Sequence, residues 1–253
     1  MWRAALVPAA AMPRVKGPLR RPLEGADEWP ILNRLLFGDP DLGGHHQVPL
    51  PTSVPVDWAS VFGRSGPVTL EIGFNRGRFL RALARLQPER DHVGVEIRRR
   101  YAWLVAHEMG RDDGPENVRL VWGDAKLVSP AIAPPGGFAD VYINFPDPWW
   151  KKKHTKRRLV NDEFASALTD LLAPGGSLWI KSDVAAIAEE IEAAFAAEPR
   201  LYGPTPFSAE DLPPSFREAR CLEMGLPIYR FRFTRGEARR VSPVAQAPTG
   251  DAG

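Results

Sequence analysis

From residue 68 onward the sequence alternates short β-rich apolar runs with stretches whose apolar residues recur at helical spacing. No other feature constrains the fold as strongly. The run 68–72 (VTLEI) stops at Gly73, and Phe79, Leu80, Leu83 and Leu86 then recur at helical spacing until Pro88 ends the helix. The runs 92–97, 118–122, 140–145 and 177–182 are the next expected strands, and 228–233 alternates cleanly enough to be a late one. A helix from about Arg98 carries Tyr101, Leu104 and Val105 and ends near Gly110. Asn161 or Asp162 can cap a helix with Phe164, Leu168, Leu171 and Leu172 on one face. Pro174-Gly175-Gly176 makes a turn, and Asp183 can cap a helix bearing Ile187, Ile191 and Phe195. This order implies an α/β fold, a mostly parallel sheet with helices on both faces. Ligands bind such sheets beyond the carboxyl ends of the strands, so the residues that carry chemistry should follow strands.

The chain of 253 residues fits one large domain, or one domain with arms. Residues 1–55 read as a partly disordered N-terminal arm and extension, 56–235 as the α/β domain, and 236–253 as a disordered tail rich in Pro, Ala and Gly. The basic arm residues Arg14, Lys16, Arg20 and Arg21 suit either a solvated arm or one that touches phosphates. The apolar start is broken by Arg3 and Pro8, which does not make a secretory leader, and Met12 is an alternative start. No apolar run approaches the ~18 residues of a membrane span. A single cysteine, Cys221, excludes an internal disulfide framework and a Cys-based zinc cluster, and suits a reducing cytoplasm. His45-His46 sits in a Gly/Pro-rich stretch and reads as solvated loop, so no metal is expected. The net charge is only +2, so any nucleic-acid binding must come from a local patch.

The residues after the first three strands are acidic. Glu71 and Gly73 lie where the first strand runs into the loop Gly73-Phe74-Asn75-Arg76-Gly77, whose glycines allow a sharp turn and close approach of backbone to a ligand. Asn75 stands where a second glycine is common, and Asn tolerates left-handed geometry. Glu96, about 20 residues past that loop, can accept from ribose hydroxyls or be a surface residue before three arginines. Asp124 can accept from an adenine amine or cap a helix. Together the three fit an adenosyl ligand. The absence of a G-x-G-x-x-G loop disfavours a dinucleotide, and with it a dehydrogenase, and leaves S-adenosylmethionine.

The most specific stretch is 144–158, NFPDPWWKKKHTKRR. Pro146 and Pro148 stiffen the turn that carries Asp147, beside aromatic rings that suit a purine. The basic residues that follow suit phosphates. This string resembles the signature of bacterial tRNA (guanine-N7-)-methyltransferases, and LEIG, GVEI, GDA, KSD and GLPIYRF follow the same order over about residues 68–233. The resemblance implies the S-adenosylmethionine-dependent methyltransferase (Rossmann-like) fold, a seven-stranded sheet with the last strand antiparallel, spanning the domain at 56–235. It implies methylation of N7 of guanosine 46 in the variable loop of tRNA. It assigns Glu71, Gly73, Glu96, Asp124 and Asp147 to the cofactor, with Asp147 also catalytic. It assigns Lys151, Asp183, Ser215 and Glu218 to the substrate, and Lys153, His154, Lys156, Arg157 and Arg158 to RNA contact. The family's Thr-x-aromatic-Glu motif aligns with Ser215-Phe216-Arg217-Glu218, where Arg217 replaces the aromatic, and Ser182 stands for the usual threonine before Asp183.

Guanine N7 carries a lone pair and no proton, so the reaction needs positioning and negative charge near the base rather than a general base. Asp147 and Asp183 suit that task by accepting from N1–H and the exocyclic amine. Two other readings remain at this stage: an amino-methyltransferase acting on adenine or cytosine, whose Asn-Pro-Pro-aromatic turn NFPDPWW loosely resembles, and a non-catalytic RNA-binding module of the same fold. The sequence leaves monomer and homodimer equally open.

Overall fold

The computed structural model describes residues 56–109, 114–147 and 159–236. Their order is α1 (Trp58–Phe62), β1 (Val68–Ile72), α2 (Arg78–Leu86), β2 (Asp91–Glu96), α3 (Arg99–Met109), β3 (Val118–Trp122), α4 (Ala125–Ile132) and β4 (Phe138–Asn144). α5 (Asp162–Leu171), β5 (Leu172–Ser182), α6 (Ala185–Ala196), β6 (Leu201–Pro206), α7 (Phe216–Glu223) and β7 (Tyr229–Arg235) follow. The described strands form one seven-stranded sheet, order β3-β2-β1-β4-β5-β7-β6. β1 to β5 pair in parallel, and β7 lies antiparallel between β5 and β6. This is the architecture expected from the alternation and from the family resemblance.

The period of two along each strand sorts the core. Val68, Leu70 and Ile72 of β1 join Val93, Val95, Ile143 and Ile180 in one cluster with α5 and α6 residues such as Phe164, Leu168, Ile187 and Phe195. Thr69 and Glu71 lie on the other face of β1, where Thr69 Oγ1 is 2.7 Å from His92 Nδ1. β1 and β2 are buried along their whole length, as expected for parallel strands covered on both faces. Chain order reverses between β1 and β4, the switch point where such sheets open a crevice.

Several local expectations are met and some are corrected. Asn161 caps α5 by accepting from the Phe164 amide at 2.9 Å. The expected turn at 174–176 is instead an excursion within β5. Leu172 faces Phe138 and Ser177 faces Asp140, so the extra residues bulge out of the ladder, with Gly175 at φ +78°. Asp183 does not cap α6. Val184 holds the cap position without a side-chain bond, and Ser182 Oγ accepts from the Val184 amide. Among the described residues no helix is long and apolar enough to cross a membrane.

Candidate active site

The crevice is built where β1 and β4 part. Glu71 is buried beneath α2, and its Oε1 accepts from Asn144 Nδ2 across the switch point at 3.0 Å. Its Oε2 has no hydrogen-bond partner. Burial pushes the Glu71 pKa up to about 8, against the Asn144 hydrogen bond, the Lys181 charge and the Leu80 amide. A buried carboxyl oxygen without a well-formed hydrogen bond is uncommon and marks either strain or a missing partner. A ligand ammonium would complete it.

The loop after β1 winds through three left-handed residues, Gly73 (φ +77°), Asn75 (φ +50°) and Gly77 (φ +64°), so Asn75 adopts the geometry foreseen for it. A Cβ on Gly73 would meet nothing within 4 Å, which leaves an open cradle over the strand end. At Gly77 a Cβ would lie 2.6 Å from Val105 Cγ1, so that glycine lets the loop close onto α3. The loop is fastened to β2 by Glu96, whose Oε2 accepts from the Asn75 amide and Oε1 from the Arg98 amide, both at 2.8 Å. Each bond uses one of the two lone-pair sites on its oxygen, so each oxygen can accept once more, as a ribose diol requires. Burial raises the Glu96 pKa, against those two amides. Asp124 caps α4 through the Lys126 amide at 3.0 Å, so the capping geometry is realised.

Phe145, one residue past β4, has φ +52°, a conformation that costs a bulky residue on the order of 1–3 kcal/mol and concentrates at functional sites. It is held there by its amide, which donates to Lys181 O at 2.8 Å. The turn it begins carries Asp147 into solvent contact, with Oδ2 2.5 Å from Arg98 Nη2. Both partners are about half exposed, so this ion pair is weak and readily exchanged. Asp183, directly after β5, is paired with Arg217, whose Nε donates to Oδ2 at 3.0 Å and whose Nη2 reaches the same oxygen.

Ser215 and Glu218 are buried in the structure. Ser215 Oγ accepts from the Glu218 amide and Glu218 Oε2 from the Ser215 amide, a capping box that fixes the start of α7. Glu218 is buried, 2.7 Å from Lys181 Nζ and bonded to both Arg230 Nε and Nη2. Burial pulls the Lys181 pKa below the usual lysine range, against Glu218. The triad joins β5, α7 and β7 immediately behind Asp183. Phe216, beside it, is 45% exposed, with the Arg76 guanidinium 4.6 Å from its ring centre, so α7 abuts the loop after β1.

The sequence reading missed the partners of these carboxylates, Asn144, Arg98, Arg217, Lys181 and Arg230. Asn144 had a visible signal, an amide at the strand end of the most specific motif; the others depend on tertiary placement. Lys151, Lys153, His154, Lys156, Arg157 and Arg158 lie outside the described residues, as do the arm at 1–55, with Met12 and His45-His46, and the tail at 237–253. Among the described residues no group of three or more His, Cys, Asp or Glu could hold a metal ion.

Residues 65–230 match a family model described as "Putative methyltransferase". A tRNA (guanine-N(7)-)-methyltransferase of Synechococcus sp. (strain JA-3-3Ab) is 38% identical over 77% of this chain and 82% of its own length. That of Anaeromyxobacter dehalogenans (strain 2CP-C) is 38% identical over 74% of this chain and 95% of its own. Among solved structures, the 16S rRNA methyltransferase KamB superposes with a TM-score of 0.55 at 14% identity, covering 73% of this chain and 95% of that one, which shows a shared fold.

Proposed function

The chain belongs to the tRNA (guanine-N7-)-methyltransferase family, and from that premise we propose that its target is guanosine 46 in the variable loop of tRNA, with Asp147 and Asp183 as the acceptors that hold the base. The enzyme uses S-adenosylmethionine to methylate N7 of guanosine in tRNA. The observation that carries the residue assignment is the row of carboxylates at the carboxyl ends of the parallel strands, Glu71, Glu96, Asp124, Asp147 and Asp183, around a switch point where Glu71 keeps an unpartnered oxygen.

When bound, the cofactor supplies an electrophilic methyl on a sulfonium, which the N7 lone pair takes as the S–C bonding pair returns to sulfur. The chain's part is to bind, orient and counter charge. Glu71 Oε2 receives the ligand's ammonium, Gly73 leaves room for it, Glu96 accepts from the ribose hydroxyls, and Asp124 lies at the adenine end. Asp147 exchanges Arg98 for the base and orients it. Its charge opposes the positive charge that builds on the purine during transfer, which electrostatic stabilisation in a shielded site makes worth a few kcal/mol. Ser215 and Glu218 serve the substrate indirectly, by fixing α7 beside Asp183.

The basic residues Lys151, Lys153, His154, Lys156, Arg157 and Arg158 follow Asp147 in the chain and suit the RNA backbone. Residues 56–235 form the methyltransferase domain of this reading, with 1–55 and 236–253 as arms, and the setting is the cytoplasm. The test is methylation of total tRNA that lacks N7-methylguanosine, followed by nuclease digestion and mass spectrometry. Label at N7 of guanosine 46 is expected. Label on an exocyclic amine would overturn the reading.

A further inference from the structure

Asp183 is covered. Its side chain is 13% exposed, while the Arg217 guanidinium that lies on it is 48% exposed. Anything that reaches this carboxylate from solvent on that side meets Arg217 first. The placement is built into the fold. The capping box fixes the first turn of α7, Glu218 anchors that turn to Lys181 two residues before Asp183, and Arg230 anchors it from β7. One helical turn beyond Arg217, Cys221 is buried and helps hold this face of α7 against the domain.

The donors of Arg217 have the same chemistry as the edge of guanine. Nε and Nη2 are two N–H groups on one carbon, and guanine presents N1–H and its exocyclic amine on one carbon. Resting on the reading that Asp183 accepts from the base, we infer that Arg217 is a displaceable stand-in for guanine. It occupies Asp183 in the tRNA-free protein, and the target base must replace it. Charge balance requires the exchange. Methyl transfer makes the purine positive, and a guanidinium held on Asp183 cancels the negative charge that should oppose this. Once released, the half-exposed guanidinium can turn to a phosphate of the incoming nucleotide, so each charge has a partner before and after. The aromatic expected at position 217 by resemblance could make no such exchange.

The test uses the full chain carrying Arg217→Ala, with Arg217→Gln as the second variant if a thermal melt shows the first to be unfolded. Methylation of tRNA is followed with millimolar guanidinium chloride and with tetramethylammonium chloride at equal ionic strength. Guanidinium is expected to refill the emptied site and inhibit the variant several-fold in competition with tRNA, raising KM and leaving kcat. The wild type, which carries its own guanidinium, should respond much less. Stimulation by guanidinium would mean that Arg217 supports Asp183 during catalysis, and would overturn the inference. An equal response to both salts, or a folded variant without turnover that guanidinium leaves inactive, would overturn it as well. Asp183→Asn separates the premise: full activity there would sink the base-binding role of Asp183 itself, whatever Arg217 does.

Discussion

On the proposed reading, Glu71 makes cofactor binding pH-dependent, in the direction set by its raised pKa. Burial raises its pKa to about 8, so in the ligand-free protein at pH 7 about nine-tenths of Glu71 is protonated. An ammonium placed against Oε2 favours the ionised form, so binding expels that proton. Affinity for S-adenosylmethionine should therefore rise about tenfold per pH unit between about pH 5.5 and 7, where the ligand's own ammonium stays charged. Calorimetry at pH 7 in two buffers of different ionisation enthalpy should report release of about 0.9 proton per site. Glu71→Gln should bind more weakly, lose the slope and release no proton, which separates Glu71 from Glu96, whose pKa is also raised. The same shift acts on stability. The folded pKa lies above the unfolded value, so the stabilisation is complete below about pH 4.5 and is lost as pH rises through about 8. Urea melts of the ligand-free protein should weaken across that window by a few kcal/mol, and those of Glu71→Gln should not. A pH-independent affinity with no buffer-dependent heat in the wild type would refute the reasoning.

Three further outcomes are expected. Asp147→Asn should keep the fold and lose ~100-fold or more in single-turnover rate, because it removes a few kcal/mol of transition-state stabilisation; near-normal turnover would sink the assignment. Glu218→Gln leaves the buried Lys181 and the partly buried Arg230 without their counter-charge, and should cost about 3–5 kcal/mol in denaturant melts; a loss well under ~1 kcal/mol would show that the triad relaxes to solvent. Replacing Lys153, Lys156, Arg157 and Arg158 by Ala should flatten the slope of log tRNA affinity against log salt by roughly 3 and spare cofactor binding; an unchanged slope would move the RNA contact elsewhere.

The positions of the proposed cofactor half of the site were legible because each of its parts is local. Glu71 and Gly73 end a run that stops abruptly, Glu96 ends the next, and Asp124 stands at a cap position; strand ends in a parallel sheet are brought together by the fold class alone. The strand β6 was not legible. Only Leu201 of it is buried, Gly203 and Pro204 interrupt it, and as an edge strand it needs no alternating pattern. The bulge at 172–176 shares its residues with a turn, and only the pairing of β5 with β4 distinguishes the two.

The substrate half was legible in its residue types but not in how they act. Ser215 and Glu218 stand at the spacing of a capping box, and the same spacing matches a substrate motif, so the sequence alone leaves both uses open. In the structure the capping box is formed, and on the proposed reading both residues serve the substrate by fixing α7. Lys181 and Glu218 are 37 residues apart and both buried, so each serves as the other's neutralising partner, and Arg230 completes the set. Two residues beyond Lys181 the chain reaches Asp183, and one residue before Glu218 it carries Arg217. A buried pair with excellent geometry costs more to break than it contributes to stability, so it acts as a register pin. Here it sets where one site carboxylate meets its guanidinium, and the exchange of that guanidinium for a base depends on α7 staying docked while Arg217 moves.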